Sequence, residues 1–388
     1  MSLNHVICCD GTANQFGPNN TNVVRLAQVL DRDFARQRLY YDPGVGTLPE
    51  PGALTKVRKK LSEAIELAFG TDLTSKVQEA YTYLMDFWQP GDRVFLFGFS
   101  RGAYTVRVLA GMLHALGLLP PGSHNLVPYV MRLFKAIRKG GRDEPDRENS
   151  NYWKLCNQFR WSFARETPGS DQRRFHVHFL GVWDTVSSVG WVWDPAHFTY
   201  TARNPSIRTI RHAVSIDERR WFFRQNLMSP VPDWQDFKQY WFAGVHGDVG
   251  GGYPDSAEDG GLWRLPFQWI LDEAQKAGLL FNAQRLEHVL HYGTHTLRPW
   301  DDRQHESLTP IWWPAEFFPK LVWHADTNSR RPEIGLGHHR VISVGQMIHK
   351  SAILRIRETD YAPPNLSSEF RQKVRHLAVV PEALEYTG

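Results

Sequence analysis

Short apolar runs alternate with amphipathic stretches along the first part of the chain. Three of the runs are typical of strands buried on both faces: His5–Cys9, Arg38–Tyr41 and Val94–Phe97. Between them, apolar residues recur at helical spacing from Thr21 to about Gln37 and again after Asp72, and residues 52–70 are also predicted to be helical. The alternation of strands and helices predicts an α/β fold, with a mostly parallel sheet and helices on both faces.

The later part of the chain continues this pattern less regularly. Phe175–Trp183 and Tyr240–Ala243 have the character of buried strands, and Ile207–Ile216 fits either a strand or a helix. Further helices are predicted within Gly261–Gly278 and over about Val344–Arg357. The proline pair in Ala362-Pro363-Pro364 is expected to end the ordered structure near the tail.

Two segments interrupt the strand and helix rhythm. Residues 123–170 contain an apolar and basic amphipathic helix, Tyr129–Lys139, and are predicted to form an inserted helical cap, which either packs on the domain or contacts a lipid head-group surface. Residues 296–335 are irregular and rich in tryptophan and proline, and are predicted to form a lid or a wall of the site. Residues 1–388 as a whole are predicted to be a single domain with insertions.

Composition excludes several classes of protein. The formal charge of +4 is small for 388 residues, with 45 basic and 41 acidic side chains and no long basic run, so nucleic acid is not expected as the main partner. Three cysteines are too few for a disulfide framework. Neither a secretory signal nor an apolar window of membrane-spanning length is present, so we expect a cytoplasmic protein, with export that needs no cleaved signal left open.

A candidate nucleophile follows the third apolar run. The sequence Gly98-Phe99-Ser100-Arg101-Gly102 is a G-x-S-x-G motif between a predicted strand and a predicted helix. Glycines on both sides of the serine relieve the crowding of a sharp turn, and the turn lifts the serine hydroxyl clear of the sheet. We therefore predict that Ser100 is a nucleophile.

A serine nucleophile needs an imidazole base and a carboxylate that orients it. Asp184 and His246 each follow an apolar strand-like run, as Ser100 does, and side chains at the carboxyl ends of parallel strands converge on one crevice. Their order along the chain is that of the α/β hydrolases. His349 is the alternative base, and Asp248 is interpreted as a residue that stabilises the turn of the glycine run.

Two backbone donors are needed to stabilise an oxyanion. The N–H of Arg101, directly after the serine, is the first candidate, and Gly11 with Thr12 after the first strand supplies the second. Asp10 together with Asp184 would instead suit a metal ion, but the serine motif favours catalysis without a metal or another cofactor.

Several motifs together resemble a known family. They are Cys9-Asp10-Gly11-Thr12, Asn20-Thr21-Asn22-Val23, Tyr41–Thr47, Gly98–Ala103, Gly181–Val186, Gly244–Tyr253, Ile348–Ser351 and Tyr361–Leu366. From about residue 5 to 366 the chain resembles the uncharacterised α/β-hydrolase family that contains the type VI secretion lipase effectors of the first family. The resemblance implies a phospholipase or esterase with Ser100, Asp184 and His246 as its triad, acting on a lipid or a small ester.

Two other functions fit parts of the sequence. A catalytically silent α/β-hydrolase scaffold would bind a lipid or a partner through residues 296–335. A metal-dependent phosphoesterase would use Asp10, Asp184 and His246 as its ligands. The joint placement of three strand-end residues favours the serine hydrolase over both.

Overall fold

The computed structural model of the protein describes most of the chain, namely residues 2–11, 19–44, 73–137, 151–167, 173–186, 190–191, 194–195, 198–231, 234–254, 261–291, 298–317, 319–324 and 329–388. The helix predicted over residues 52–70 and the candidate oxyanion residue Thr12 lie outside the described residues.

The described strands form one large sheet and two small hairpins. In chain order they are β1 (Asn4–Cys9), β2 (Gln37–Asp42), β3 (Arg93–Phe99), β4 (Val177–Trp183), β5 (Gly190–Trp191), β6 (Asp194–Pro195), β7 (Ile207–Ser215), β8 (Asp236–Phe242), β9 (Lys320–His324), β10 (Ser329–Glu333), β11 (Met347–His349) and β12 (Ala383–Glu385). The large sheet has the order β12-β11-β8-β7-β4-β3-β1-β2, and its pairs are parallel except β11 with β12. The predicted mostly parallel sheet is confirmed.

Helices cover both faces of this sheet. They are α1 (Asn22–Val29), α2 (Leu73–Phe87), α3 (Ser100–Leu116), α4 (Val127–Ile137), α5 (Asn151–Phe163), α6 (His246–Gly250), α7 (Arg264–Lys276), α8 (Ala283–His291), α9 (Trp313–Glu316), α10 (Lys350–Glu358) and α11 (Ser368–Arg375). Side chains of α2 to α5 join one buried core, and those of α1, α7 and α8 join the other. Along β3, Val94 and Leu96 face the first core while Phe95, Phe97 and Phe99 face the second, as the two-residue period of a strand requires.

The order of the strands indicates where a ligand is expected to bind, at the carboxyl ends of β1 and β3. The chain leaves β1 for β2 on one side and reaches β3 on the other side of β1, so the connections diverge between β1 and β3. In open α/β sheets, ligands bind outside the carboxyl ends of the strands at such a point. Asp10 and Ser100 directly follow the carboxyl ends of these two strands.

Three predicted elements differ from the structure. The helix expected from Thr21 to about Gln37 ends at Val29, because residues 31–36 form turns held by Asp31 and Asp33 side chains before β2 begins. The ambiguous segment 207–216 is a strand in the middle of the sheet. Residues 347–349 are a strand rather than the start of the late helix, which begins at Lys350.

The tail also differs from the prediction. Ordered structure does not end at the proline pair, because α11 and β12 follow it. Apolar side chains of α10 and α11, among them Ile353, Phe370 and Val374, form a third core with Ile348 of β11. This burial holds the last part of the chain against the sheet.

The predicted cap segment packs against the flank of the domain in its described part. Apolar residues of α4 and α5, including Phe134 and Cys156, are buried in the same core as α3. Arg160 of α5 donates to the carbonyl of Ala115, near the end of α3 that is remote from Ser100. Residues 138–150 lie outside the described residues, so a cap over the site stays a prediction. No helix of the described residues combines the length and the apolar character needed to cross a bilayer.

Candidate active site

Ser100 stands at a strained turn between β3 and α3. Its φ is +58°, in the left-handed region that residues other than glycine rarely adopt. A Cβ on Gly98 would lie 2.6 Å from the N of Ala103, and one on Gly102 would lie 2.1 Å from the O of Cys9. Both flanking glycines are therefore required for the helix to start this close to β1, and this geometry is typical of a turn that presents a serine hydroxyl.

Asp184 and His246 meet at the same edge of the sheet. Asp184 directly follows β4 and has a φ of +37°, and His246 is the first residue of α6, shortly after β8. The Oδ2 of Asp184 lies 2.5 Å from the Nδ1 of His246. The structure thus joins the carboxylate and the imidazole that the sequence predicted as partners, although 62 residues separate them in the chain.

A buried arginine that the sequence analysis missed holds Asp184 from the other side. Nη1 of Arg340 lies 2.6 Å from the Oδ1 of Asp184, and Nη2 lies 3.0 Å from the Oδ2. The backbone N–H of Ser215 also donates to Oδ1, at 2.9 Å. Asp184 is fully buried, and Arg340 is only 6% exposed. No motif marks this arginine, because 156 residues separate it from its partner.

These contacts set the charges of the pair. Burial acts to raise the pKa of Asp184, but Arg340 and the hydrogen bond to His246 outweigh it and hold this pKa well below its usual range. Burial lowers the pKa of His246, and the hydrogen bond and charge of Asp184 offset only part of that effect. At neutral pH the site therefore contains a charged carboxylate and a neutral imidazole, the states that a base and its orienting acid require.

Aromatic rings surround the imidazole of His246. The ring of Phe99 lies 4.5 Å from it and that of Phe223 lies 4.8 Å from it, measured between centroids. The ring of Trp312 then packs edge-on against Phe223 at 5.4 Å. The described part of the Trp- and Pro-rich segment thus contacts, through Trp312, a ring that lies beside the imidazole. That this segment forms a lid or a wall of the site stays a prediction, and its residues 296–297, 318 and 325–328 lie outside the described residues.

A second buried carboxylate, Glu218, fixes the backbone of the site. Its Oε2 accepts from the backbone N–H of His246 at 3.1 Å, and its Oε1 accepts from the hydroxyl of Ser307 at 2.9 Å. The guanidinium of Arg220 bonds both oxygens at 2.9 Å and lies over the ring of Phe223. Burial acts to raise the pKa of Glu218, but Arg220 lowers it to about 2. Apart from the charged, aromatic stretch after β7, no sequence pattern points to this role of Glu218.

The three candidate oxyanion donors, Arg101, Gly11 and Thr12, have different surroundings in the structure. Arg101 lies in the first turn of α3, at the end of the helix that favours negative charge. The N–H of Gly11 donates to the Oδ1 of Asp10 at 2.7 Å. Asp10 also accepts from the hydroxyls of Thr21 and Tyr41, at 2.7 and 3.0 Å. Thr12 is outside the described residues.

His349, the alternative base, lies at the end of β11 and is the residue before α10. Its Nδ1 accepts from the backbone N–H of Ser351 at 3.2 Å and so caps the helix. Its ring stacks on Phe242 at 4.2 Å, and burial lowers its pKa to about 3. Asp248 bonds the N–H of Val245 at 3.0 Å and the Nδ1 of His305 at 2.6 Å, which fits the predicted turn-stabilising role.

The carboxylate oxygens of the site accept hydrogen bonds from protein donors, and such oxygens do not suit a metal ion. Asp184 is bonded to Arg340, His246 and Ser215, and Asp10 to two hydroxyls and a backbone N–H. Within the described residues, no three His, Cys, Asp or Glu side chains group as metal ligands.

The fold and this site define an α/β protein whose serine, aspartate and histidine all follow strands at one edge of the sheet. A family model described as the catalytic domain of Tle1-like phospholipase effectors of type VI secretion matches residues 4–273. The match covers more than half of the chain, and the protein belongs to this family. Arg340 and His349 lie beyond the matched residues.

Individual proteins are also similar to the chain. An uncharacterised protein of Saccharomyces cerevisiae, YEL023C, is 35% identical over 236 residues, which are 59% of this chain and 33% of that protein. The chain thus spans about a third of the length of this curated relative. Among solved structures, an uncharacterised protein from Pseudomonas aeruginosa is 18% identical, with a TM-score of 0.42 over 74% of this chain and 48% of that one. The Tle1 effector bound to the VgrG spike of the type 6 secretion system is 20% identical, with a TM-score of 0.32 over 65% and 51% of the two chains.

Proposed function

We propose that the protein is a serine hydrolase of carboxylic esters, with phospholipids as its substrate class. The observation that carries the proposal is the 2.5 Å contact between Asp184 and His246 at the sheet edge where Ser100 adopts a strained turn. A neutral imidazole held by a charged carboxylate is the arrangement that activates a serine hydroxyl. Membership of a phospholipase effector family supports the choice of substrate.

In the proposed reaction, the Nε2 of His246 takes the proton of the Ser100 hydroxyl as the serine oxygen attacks the ester carbonyl. The tetrahedral intermediate collapses when the same nitrogen returns the proton to the leaving alcohol, and an acyl-serine remains. Water, activated by His246, then releases the fatty acid and restores the serine. Asp184 stays ionised throughout and stabilises the imidazolium in both steps.

The oxyanion of each intermediate needs backbone donors. We assign the N–H of Arg101 as the first, because it begins a helix whose N-terminus favours negative charge. Thr12 is proposed as the second. The N–H of Gly11 serves this role only if it leaves Asp10, to which it donates in this structure.

A lipid substrate also suits the surface next to the site. Ile311 and Phe317 flank Trp312 in the chain, and they are 69% and 60% exposed. Val341, directly after Arg340, is 74% exposed. Apolar side chains of this size enter the boundary between head groups and acyl chains favourably. We propose that this rim, rather than the amphipathic helix α4, meets the lipid surface, and that export as an effector brings the protein to it.

The test is hydrolysis of a panel of diacyl phospholipids and short soluble esters by the full chain, with products read by mass spectrometry. Release of fatty acid and lysolipid is expected, and the lysolipid isomer identifies the acyl position. Cleavage of soluble esters alone would remove the phospholipid part of the proposal. Loss of a phosphorylated head group that stops on addition of a chelator would favour the metal-dependent phosphoesterase. Turnover of none of these substrates would favour the silent scaffold.

The double variant Ile311→Ser with Phe317→Ser tests the proposed lipid rim. Each buried side chain of this size contributes about 1.5–3 kcal/mol to transfer from water, so hydrolysis of phosphatidylglycerol vesicles should fall more than about tenfold. Turnover of a short soluble ester should change less than about twofold, because neither side chain bonds to the triad.

The matched control is Phe34→Ser. Phe34 is 72% exposed and precedes the amino end of β2, at the opposite edge of the sheet. It should leave vesicle hydrolysis unchanged. An equal loss in the control and the double variant, or a loss on both substrates, would contradict a lipid rim at residues 311–317.

A further inference from the structure

Arg340 comes from the segment after β10, yet its guanidinium ends on the carboxylate of Asp184. We propose that Arg340 is a positioning residue of the reaction: it fixes the rotation of the Asp184 carboxylate and sets the pH range in which His246 acts as a base. This inference rests on the proposed serine hydrolase and adds a residue from outside the part of the chain that the family model matches.

The guanidinium of Arg340 is held in one orientation by several hydrogen bonds. The two terminal nitrogens of Arg340 donate to the two oxygens of Asp184, at 2.6 and 3.0 Å, which fixes the plane of the carboxylate. Nη1 also donates to the hydroxyl of Ser215 at 2.7 Å and to its carbonyl at 3.2 Å, and Nη2 donates to the carbonyl of Phe223. Rotation of the guanidinium would break all of these bonds. Asp184 is therefore held in the plane that aims Oδ2 at His246.

The same contacts tie the triad to the aromatic rings beside it. Phe223, whose carbonyl accepts from Arg340, has its ring against both His246 and Trp312. The carbonyl of Arg340 accepts from the side-chain amide of Asn365, which also bonds Ile216 after β7. Arg340 is thus fixed at both its backbone and its side chain. A displacement of Phe223 and Trp312 would therefore move Arg340, and with it the carboxylate of Asp184 that orients His246.

The charge of Arg340 acts on His246 through Asp184. The charged groups that act on the imidazole are Asp184, whose carboxylate is bonded to Arg340, and Glu218 with Arg220. His212, which lies against Asp184, is kept neutral because burial lowers its pKa to about 3. On its own short helix, His246 is followed by Asp248, which is held by His305.

The direction in which Arg340 changes the pKa of His246 follows from these charges. Burial lowers the pKa of His246 most strongly. The hydrogen bond and charge of Asp184 raise it, and the charge of Arg220 opposes that rise, so the pKa stays below its ordinary value. A neutral residue at position 340 would leave the charge of Asp184 without its offset. The imidazolium would then be more stable and the pKa of His246 higher. Because the base acts only when neutral, activity would be lost at a higher pH.

The experiment compares pH profiles of kcat/KM on a soluble ester for the full chain, Arg340→Gln and Arg340→Lys, with enzyme counted by fluorophosphonate titration. The wild-type acid limb should lie below pH 6.5. Arg340→Gln should move it upward by about one unit, the lower end of the shifts caused by a nearby charge. Arg340→Lys keeps the charge but loses the two-point geometry, so its limb should stay near wild type while kcat falls about tenfold at unchanged KM.

The matched control is Arg211→Gln. Arg211 is another buried arginine paired with carboxylates: its Nε lies 2.5 Å from the buried Glu273 and its Nη2 lies 2.7 Å from the exposed Asp236, about 13 Å of strand before Ser215. This variant should lower the melting temperature without moving the acid limb. If Arg340→Gln gives the same pattern, or if Arg340→Lys has wild-type kcat, the positioning role is refuted.

Two further outcomes keep this inference separate from the proposed function. If Arg340→Gln does not fold, the kcat of Arg340→Lys decides the question alone. Ser100→Ala is assayed on the same ester, and its full activity would refute the serine hydrolase itself. An inactive Ser100→Ala together with unchanged Arg340 profiles would refute only the role of Arg340.

Discussion

Replacement of Ser100 by alanine should abolish ester hydrolysis. The expected loss in kcat is about 10⁴- to 10⁶-fold, the range in which removal of a nucleophile leaves only binding and oxyanion stabilisation. Affinity for substrate should change little, because the hydroxyl acts in the transition state. The measurement is kcat and KM on a soluble ester, with covalent labelling by a fluorophosphonate as an independent readout.

Ser100→Gly is the companion variant that separates chemistry from folding. The φ of +58° at Ser100 is unfavourable for a residue with a Cβ, so glycine should raise the free energy of unfolding by about 1 kcal/mol while activity is lost as in the alanine variant. A variant that is more stable and inactive cannot be explained by unfolding. Substantial activity in either variant would show that Ser100 is not the nucleophile.

The nearness of Asp184 to His246 was predictable because each residue follows a strand. Parallel strands converge at their carboxyl ends, so a polar residue after a buried apolar run has only one edge of the sheet to occupy. Gly98 and Gly102 were equally informative, since each lies where any side chain would strike a backbone atom. At these positions the local sequence and the topology of the sheet predict the same placement of the residue.

Arg340 and Glu218 could not be predicted in the same way. Their roles depend on segments that fold back to the site from 156 and 28 residues away, and no periodicity encodes such contacts. A charged side chain in an irregular stretch is normally solvated. Only burial against a partner of opposite charge reveals these two residues as part of the site.

The errors in the fold have similar causes. The apolar period of α1 continues toward Gln37. However, the side chains of Asp31 and Asp33 each accept a hydrogen bond from the backbone N–H two residues later in the chain, which favours turns over a helix. The short strand β11 was hidden within a helix-like pattern because it gains its stability from pairing with β8 and β12. Because β11 is parallel to β8, His349 lies at the carboxyl ends of the strands, as His246 does.

Two histidines therefore compete for the role of base, and paired substitutions separate them. His246→Asn should lower kcat about 10⁴-fold or more, because the proton of Ser100 would have no acceptor. His349→Asn should retain kcat within about twofold, since asparagine is a good helix cap and preserves the bond to the backbone of Ser351. Some loss of stability is expected in the second variant, because the ring of His349 stacks on Phe242.

The double variant Ser100→Ala with His246→Asn sharpens this test. Residues that act as one unit are not additive, so the double variant should be about as inactive as either single variant. Independent roles would instead multiply the two losses. If His349→Asn lost activity and His246→Asn retained it, the base would have to be reassigned to β11, and the contact of Asp184 with His246 would then be structural. The contacts of the two rings favour His246 as the base. Its Nδ1 lies against the carboxylate of Asp184, which can stabilise the imidazolium, whereas the Nδ1 of His349 lies against Ser351 and caps a helix.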